Sequence, residues 1–161
     1  MQCLVCGYIV PGESPPMRCP LCGAAEDKFR GLTLRTGDNQ VMANVDWLDH
    51  LNNGVLYLAY ALRAEEEGYP EIAAALYRIG RDKARHAAEW LNRRQPPGGS
   101  ADNLRLLLRH EEATAANLSG LAGAARKAGD TETALFLERV AAAERRHGNV
   151  LRNLRQRLFG E

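Results

Sequence analysis

The strongest constraint on this chain is an internal repeat. A shift of 61 residues lays the second helical half on the first. It carries Gly68 onto Gly129, Ala73 onto Ala134, Leu76 onto Leu137, Arg78 onto Arg139, Arg85 onto Arg146 and His86 onto His147. Ala61 and Ala64 fall on Ala122 and Ala125. A repeat of this length with a glycine near its middle encodes a helix–turn–helix unit, and two copies encode four helices. Trp47, Leu48, Leu51, Val55, Leu58 and Leu62 recur at helical spacing, as do Ile72, Leu76, Ile79, Lys83, His86 and Trp90. Helices are expected over about 41–67, 70–94, 103–128 and 130–158. Gly68 stops the first, Pro70 opens the second, and Pro96-Pro97-Gly98-Gly99 follows its end. Asp102 is the expected N-cap of the third, and Gly129 repeats the stop.

The repeat also aligns chemistry. Glu144 and His147 stand three apart, so a helix puts both on one face. One Glu-x-x-His is weak evidence, because any charged surface helix produces it. The repeat pairs His86 with His147, Lys83 with Glu144, and His50 with Glu111. Each half therefore offers one residue on its first helix and an x-x-His pair on its second. The donors are Glu111, Glu144 and His147 in one half, and His50, Lys83 and His86 in the other. That is the layout of a di-metal helical centre with two carboxylates missing. Two readings stay open for His86 and His147: metal ligands, or buried histidines hydrogen-bonded to carboxylates. His110, off the face of Glu111, is expected to be solvated, as are Arg145 and Arg146.

The four cysteines form two C-x-x-C-G turns, Cys3-Leu4-Val5-Cys6-Gly7 and Cys19-Pro20-Leu21-Cys22-Gly23. The glycine permits positive φ, which turns backbone N–H groups toward the sulfurs. Four thiolates so spaced make a tetrahedral site for iron or zinc. The segment from Ile9 to Pro16 between the pairs is expected to be loop. A first domain of about 35 residues is too small to fold on its core alone, so its metal supplies folding energy. Thr33 to Asn39 is the expected linker, and residues 36–161 form the helical domain.

Net charge is +1 in 161 residues, which argues for neither a nucleic-acid nor a membrane partner. No apolar run approaches the roughly 20 residues of a membrane span. Met1-Gln2-Cys3 leads straight into a cysteine turn, so no export signal is expected. Thiolates held by metal then suit a reducing cytoplasm.

Cys-x-x-Cys-Gly-Tyr-Ile-Val-x-Gly, followed by Pro15-Pro16 and Cys19-Pro20-Leu21-Cys22-Gly23-Ala24, resembles the rubredoxin-type domain of rubrerythrins. The segment Ala25 to Phe29 resembles its usual continuation, and Glu67-Gly68-Tyr69-Pro70-Glu71-Ile72 is similar to the family's helical turn. The order, knuckle before helices, resembles reverse rubrerythrins. The resemblance spans nearly the whole chain. It implies a mainly α fold, a ferritin-like antiparallel four-helix bundle with a small N-terminal rubredoxin-like knuckle. It implies a peroxide-reducing oxidoreductase of oxidative-stress defence, with a redox donor protein or reductase as partner. It implies iron held by Cys3, Cys6, Cys19 and Cys22, with zinc as an alternative occupant.

In the bundle, the resemblance implies metal ligands at His86, Glu111, Glu144 and His147, with Glu111 and Glu144 as catalytic carboxylates. The sequence departs from the family at His50 and Lys83, where carboxylates are usual, and at Thr114. Two carboxylates do not balance two divalent ions beside a lysine. At most one iron or zinc is therefore expected in the bundle, with His50 as a further donor. Two other readings remain: an electron-transfer protein with a metal-free bundle, and a zinc-ribbon interaction module on a helical dimer.

A length argument adds an assembly. The second helix is roughly 37 Å long at ~1.5 Å per residue. The connection from Gln95 to Ala101 reaches about 25 Å at ~3.6 Å per residue. It cannot make a parallel crossover within one chain, which leaves a simple up-down bundle or a domain-swapped homodimer, and the site geometry that the resemblance implies, with both x-x-His helices facing one centre, favours the swap.

Overall fold

The computed structural model describes residues 1–10, 14–31, 47–94 and 97–160. The expected linker, and the part of the first helix before Trp47, lie outside the described residues. The chain is mainly α, with a small cysteine knuckle at its start. It forms two compact units: the knuckle with the last two helices, and the first helical pair.

The knuckle is built from two matching turns. Gly7 and Gly23 adopt φ of 79° and 73°, and their N–H groups bond to Cys3 and Cys19 carbonyls at 2.9 Å. Strand β1 (Gln2–Cys3) pairs antiparallel with β2 (Phe29–Arg30), and a 3-10 turn (Glu26–Lys28) precedes β2. Cys3, Cys6 and Cys19 are its buried centre, with Tyr8, Leu21 and Phe29 packed around them.

The helices are α1 (Trp47–Glu66), α2 (Pro70–Arg94), α3 (Ser100–Lys127) and α4 (Thr131–Phe159). They pair as α1–α2 and α3–α4. Both hairpin turns use one device. Tyr69 N–H reaches back to the Ala64 carbonyl at 2.8 Å, and Asp130 N–H to that of Ala125 at 3.0 Å. The intervening Gly68 and Gly129 take φ of 81° and 80°. Each hairpin then carries a cross-pair at repeat-related positions: Tyr77 donates to Glu65 at 2.9 Å, and Arg126 to Glu138 at 2.8 Å.

One expectation is corrected. The N-cap of α3 is Gly99, and Asp102 lies inside the first turn, where Arg105 donates to it at 2.8 Å. Within each hairpin the large apolar stripe is not the buried face. Leu51, Val55, Leu62, Ile72 and Ile79 are exposed. Besides Ala64 and Leu108, what is buried among the described helical residues is a seam of small residues seven apart: Gly54 and Ala61 in α1, Ala73, Gly80 and Ala87 in α2. The repeat continues it through Ala115 and Ala122 in α3, and Ala134, Ala141 and Gly148 in α4. Small side chains let two helix backbones approach closely, and a seven-residue period keeps the seam facing its partner. Among the described residues, no helix is long and apolar enough to cross a membrane.

Candidate metal centres

The four cysteines converge. Sγ of Cys3 lies 3.8 Å from that of Cys22, and Sγ of Cys6 lies 3.7 Å from that of Cys19. All four sulfurs fall within 4.8 Å of one another. A tetrahedron with metal–sulfur bonds of ~2.3 Å has edges of ~3.8 Å, so the cage fits one iron or zinc ion. Backbone N–H groups reach the sulfurs as the glycine turns require: Tyr8 to Cys6, Leu21 and Cys22 to Cys19, Ala24 to Cys22. Burial pushes the Cys6 and Cys22 thiols up. At Cys19 burial acts in the same sense, but the two backbone N–H groups, together with the neighbouring Cys22 and Cys6 thiols, outweigh it and hold the thiol below its ordinary value. A cation in the cage removes the protons that burial would retain.

The second cluster lies between α3 and α4. Glu111, Glu144 and His147 bring three donor atoms within 4.8 Å of one another. His147 Nδ1 is 3.0 Å from Glu144 Oε2 and 3.5 Å from Glu111 Oε2. Glu111 Oε2 is buried and makes no hydrogen bond of good geometry. Burial, then its hydrogen bond with Glu144, raises the Glu111 carboxyl. The same hydrogen bond lowers Glu144. The two carboxyls are thus pushed apart, Glu111 up and Glu144 down. An orphaned buried oxygen beside an imidazole and a second carboxylate fits one cation with nitrogen and oxygen ligands. Gly148 lies beside the cluster, where a Cβ would meet Glu111 Cβ at 3.7 Å, an ordinary van der Waals contact.

His147 is exposed rather than buried, with its side chain at 60% relative accessibility. Its bond to Glu144 satisfies one half of the bland expectation and its exposure contradicts the other. Arg145 and Arg146 are exposed as expected, and Arg145 also donates to Ser119 Oγ at 3.2 Å. His110 is not solvated. It is half-buried, and its Nδ1 lies 3.0 Å from the Cys6 carbonyl oxygen. No feature of the local sequence marks that contact.

In the first hairpin, His50 and His86 are half-buried with ring centroids 6.3 Å apart, and Trp90 stacks edge-on against His50 at 4.4 Å. His50 Nδ1 is buried without a hydrogen-bond partner. Lys83 Nζ stands 6.0 Å from the centre of the Tyr57 ring. Thr114 Oγ1 in α3 is likewise buried and unpaired.

A four-thiolate cage, in one compact unit with a carboxylate–histidine donor set, defines a metal-binding protein. Residues 2–30 match the rubredoxin-like domain of rubrerythrin. The chain is 30% identical to reverse rubrerythrin-1 of Clostridium acetobutylicum, over 98% of this chain and 97% of that protein. An uncharacterised protein of Methanocaldococcus jannaschii is 30% identical over 65% of this chain and 74% of its own length. The chain belongs to the reverse rubrerythrin family.

Proposed function

We propose that the protein is a cytoplasmic oxidoreductase that reduces hydrogen peroxide to water with electrons from a reductase or redox carrier protein. The observation that carries this reading is the convergence of Glu111, Glu144 and His147 in the same compact unit as the cysteine cage. Iron at Cys3, Cys6, Cys19 and Cys22, and one iron or zinc at the helical cluster, would supply the redox and Lewis-acid chemistry that side chains lack. The chain's residues hold the ions and manage protons. Reduction of one peroxide consumes two electrons and two protons. Glu111 and Glu144 would both hold the cation, with burial raising the Glu111 carboxyl and the hydrogen bond between the two lowering Glu144. His147 supplies a nitrogen ligand.

His50 and His86 would complete the donor set, and His50 Nδ1, buried and unpaired, supports this. His50 and Lys83 also limit the site, because each replaces a carboxylate. The bundle then holds at most one ion. If it holds none, the protein is an electron carrier whose helices are scaffold.

Metal content of protein purified without added metal, together with peroxide turnover, tests the reading. Two ions per chain and peroxide-dependent oxidation of a reduced donor are expected. His50→Glu with Lys83→Glu should raise both ion uptake and turnover. One iron per chain with no turnover would leave the electron carrier, and a colourless zinc protein would leave a non-redox interaction module.

A further inference from the structure

Leu106, Arg109 and His110 occupy one stripe of α3, at positions i, i+3 and i+4. Val5, Cys6 and Gly7 are consecutive in the first cysteine turn. The two sets meet residue by residue. Arg109 Nε donates to the Val5 carbonyl at 2.8 Å. His110 Nδ1 lies 3.0 Å from the Cys6 carbonyl. A Cβ on Gly7 would lie 3.3 Å from Cγ and Cδ2 of Leu106, so the turn rests directly on the helix. Gly7, with φ of 79°, is required for the turn, and its missing side chain also avoids a tight contact with Leu106.

We propose that His110 is a positioning residue that seats the cysteine cage on α3 in fixed register with Glu111. A carbonyl oxygen only accepts, so Nδ1 must carry the hydrogen in this contact. Of the two polar contacts, that of His110 is the less exposed and therefore less open to competition from water. The next residue after His110 is Glu111, a member of the helical donor set. Cys6 and Glu111 are therefore joined by covalent bonds interrupted by a single hydrogen bond. A cage that swung on its linker would have no defined separation from the helical cluster, whereas a seated cage does. The relevance of that separation to electron exchange rests on the oxidoreductase reading. The seating itself does not.

The test loads cobalt(II) into the cysteine cage of the full chain, with the zinc-loaded protein as diamagnetic reference. A seated cage gives α3 amides pseudocontact shifts that fit one rigid metal position. In His110→Leu these shifts should fall at least twofold through averaging. In His110→Asn, whose amide nitrogen can replace Nδ1 as donor, they should return. Unchanged shifts in His110→Leu, or no recovery in His110→Asn, would overturn the proposal. The wild-type protein gives a measurement that needs no variant to fold. Nitrogen-15 shifts of zinc-loaded protein should show a hydrogen on Nδ1 of His110, and the tautomer with hydrogen only on Nε2 would overturn the proposal by itself. None of these readouts is peroxide turnover, so the seating and the oxidoreductase reading fail separately.

Discussion

Gly80 of α2 stands against the backbone of Gly54 in α1: a Cβ on Gly80 would lie 3.0 Å from the Gly54 carbonyl oxygen and 3.0 Å from Leu58 Cδ2. The repeat places Ala115 and Ala141, both buried, at the equivalent points of the second hairpin. The two hairpins thus share one seam, with glycine at these two points in the first and alanine in the second.

Gly80→Ala should therefore destabilise the protein by about 1–2 kcal/mol, because overpacking against a backbone atom exceeds the ~1 kcal/mol gained in helix propensity. Gly120, in α3, has open space where its Cβ would be. Gly120→Ala should stabilise by about 0.5–1 kcal/mol. Urea denaturation followed by helical circular dichroism, at one fixed metal load, compares them. Equal signs for the two variants would refute the close approach at Gly80.

Cys19→Ser removes the sulfur that two backbone N–H groups and the neighbouring thiols hold below its ordinary pKa. The iron-loaded variant should lose its visible ferric–thiolate absorption, because three thiolates no longer close the tetrahedron. Helicity should change little, since α1 to α4 are built from their own seams. The knuckle should become protease-sensitive, because metal binding worth on the order of 10 kcal/mol no longer supports it. An absorption spectrum like that of wild type would contradict the assignment of the cage.

Glu111→Gln separates metal binding from metal-free stability. The folded-state pKa of Glu111 is raised, so its contribution is full below the ordinary glutamate value and is lost as pH rises through the folded value. Glu144 is lowered, so its contribution is present above the ordinary value and is lost as pH falls through the folded one. Glutamine cannot ionise but still donates a hydrogen bond to Glu144. Metal-free Glu111→Gln should therefore melt higher than wild type at neutral pH, and the gap should close toward the ordinary glutamate pKa. In the presence of iron or zinc the order should reverse, because a ligand has been lost. Thermal melts across pH, with and without metal, read both signs. A gap that stays constant with pH would show that folding does not raise the Glu111 carboxyl.

Much of this was legible from residue spacing. The cysteine turns, the two hairpin glycines and the Pro70 start are dictated by local backbone geometry, and the structure shows them where the spacing puts them. The 61-residue repeat exposed the donor positions because a duplication preserves helix register. The seam was not read, although its members were on the page: periodicity arguments weight large apolar residues, and here the hairpins close on alanine and glycine. The cage–helix contact was invisible for a different reason. His110 and Cys6 are 104 residues apart, and no periodic signal links a histidine to a backbone carbonyl at that distance. The N-cap of α3 was misplaced because Asp102 is a good cap by composition, while the helix begins after Gly99 and gives Asp102 to Arg105 instead.

Helix α2 has 25 residues and is therefore ~37 Å long at ~1.5 Å per residue. It ends at Arg94 and α3 begins at Ser100, which is shorter than the connection expected from the sequence. The five intervening residues span at most ~18 Å at ~3.6 Å each. In a ferritin-like bundle the second and third helices run parallel, so their connection must travel the bundle's length, and this one is about half as long as needed. Each hairpin also leaves large apolar side chains exposed: Val55 and Leu62 in the first, Leu121 and Phe136 in the second. A second copy of the chain resolves both facts. The α1–α2 hairpin of one chain would complete a bundle with the α3–α4 hairpin of its partner, and two such bundles form a closed dimer. Each bundle would then set His50, Lys83 and His86 of one chain against the Glu111, Glu144 and His147 positions of the other. Light scattering at low micromolar protein should give the dimer mass. Dilution that lowers the mass should expose apolar surface to a fluorescent probe and release any ion held by the helical cluster, while the cysteine cage keeps its own. A monomer mass with helicity and bundle metal both retained would rule the exchange out.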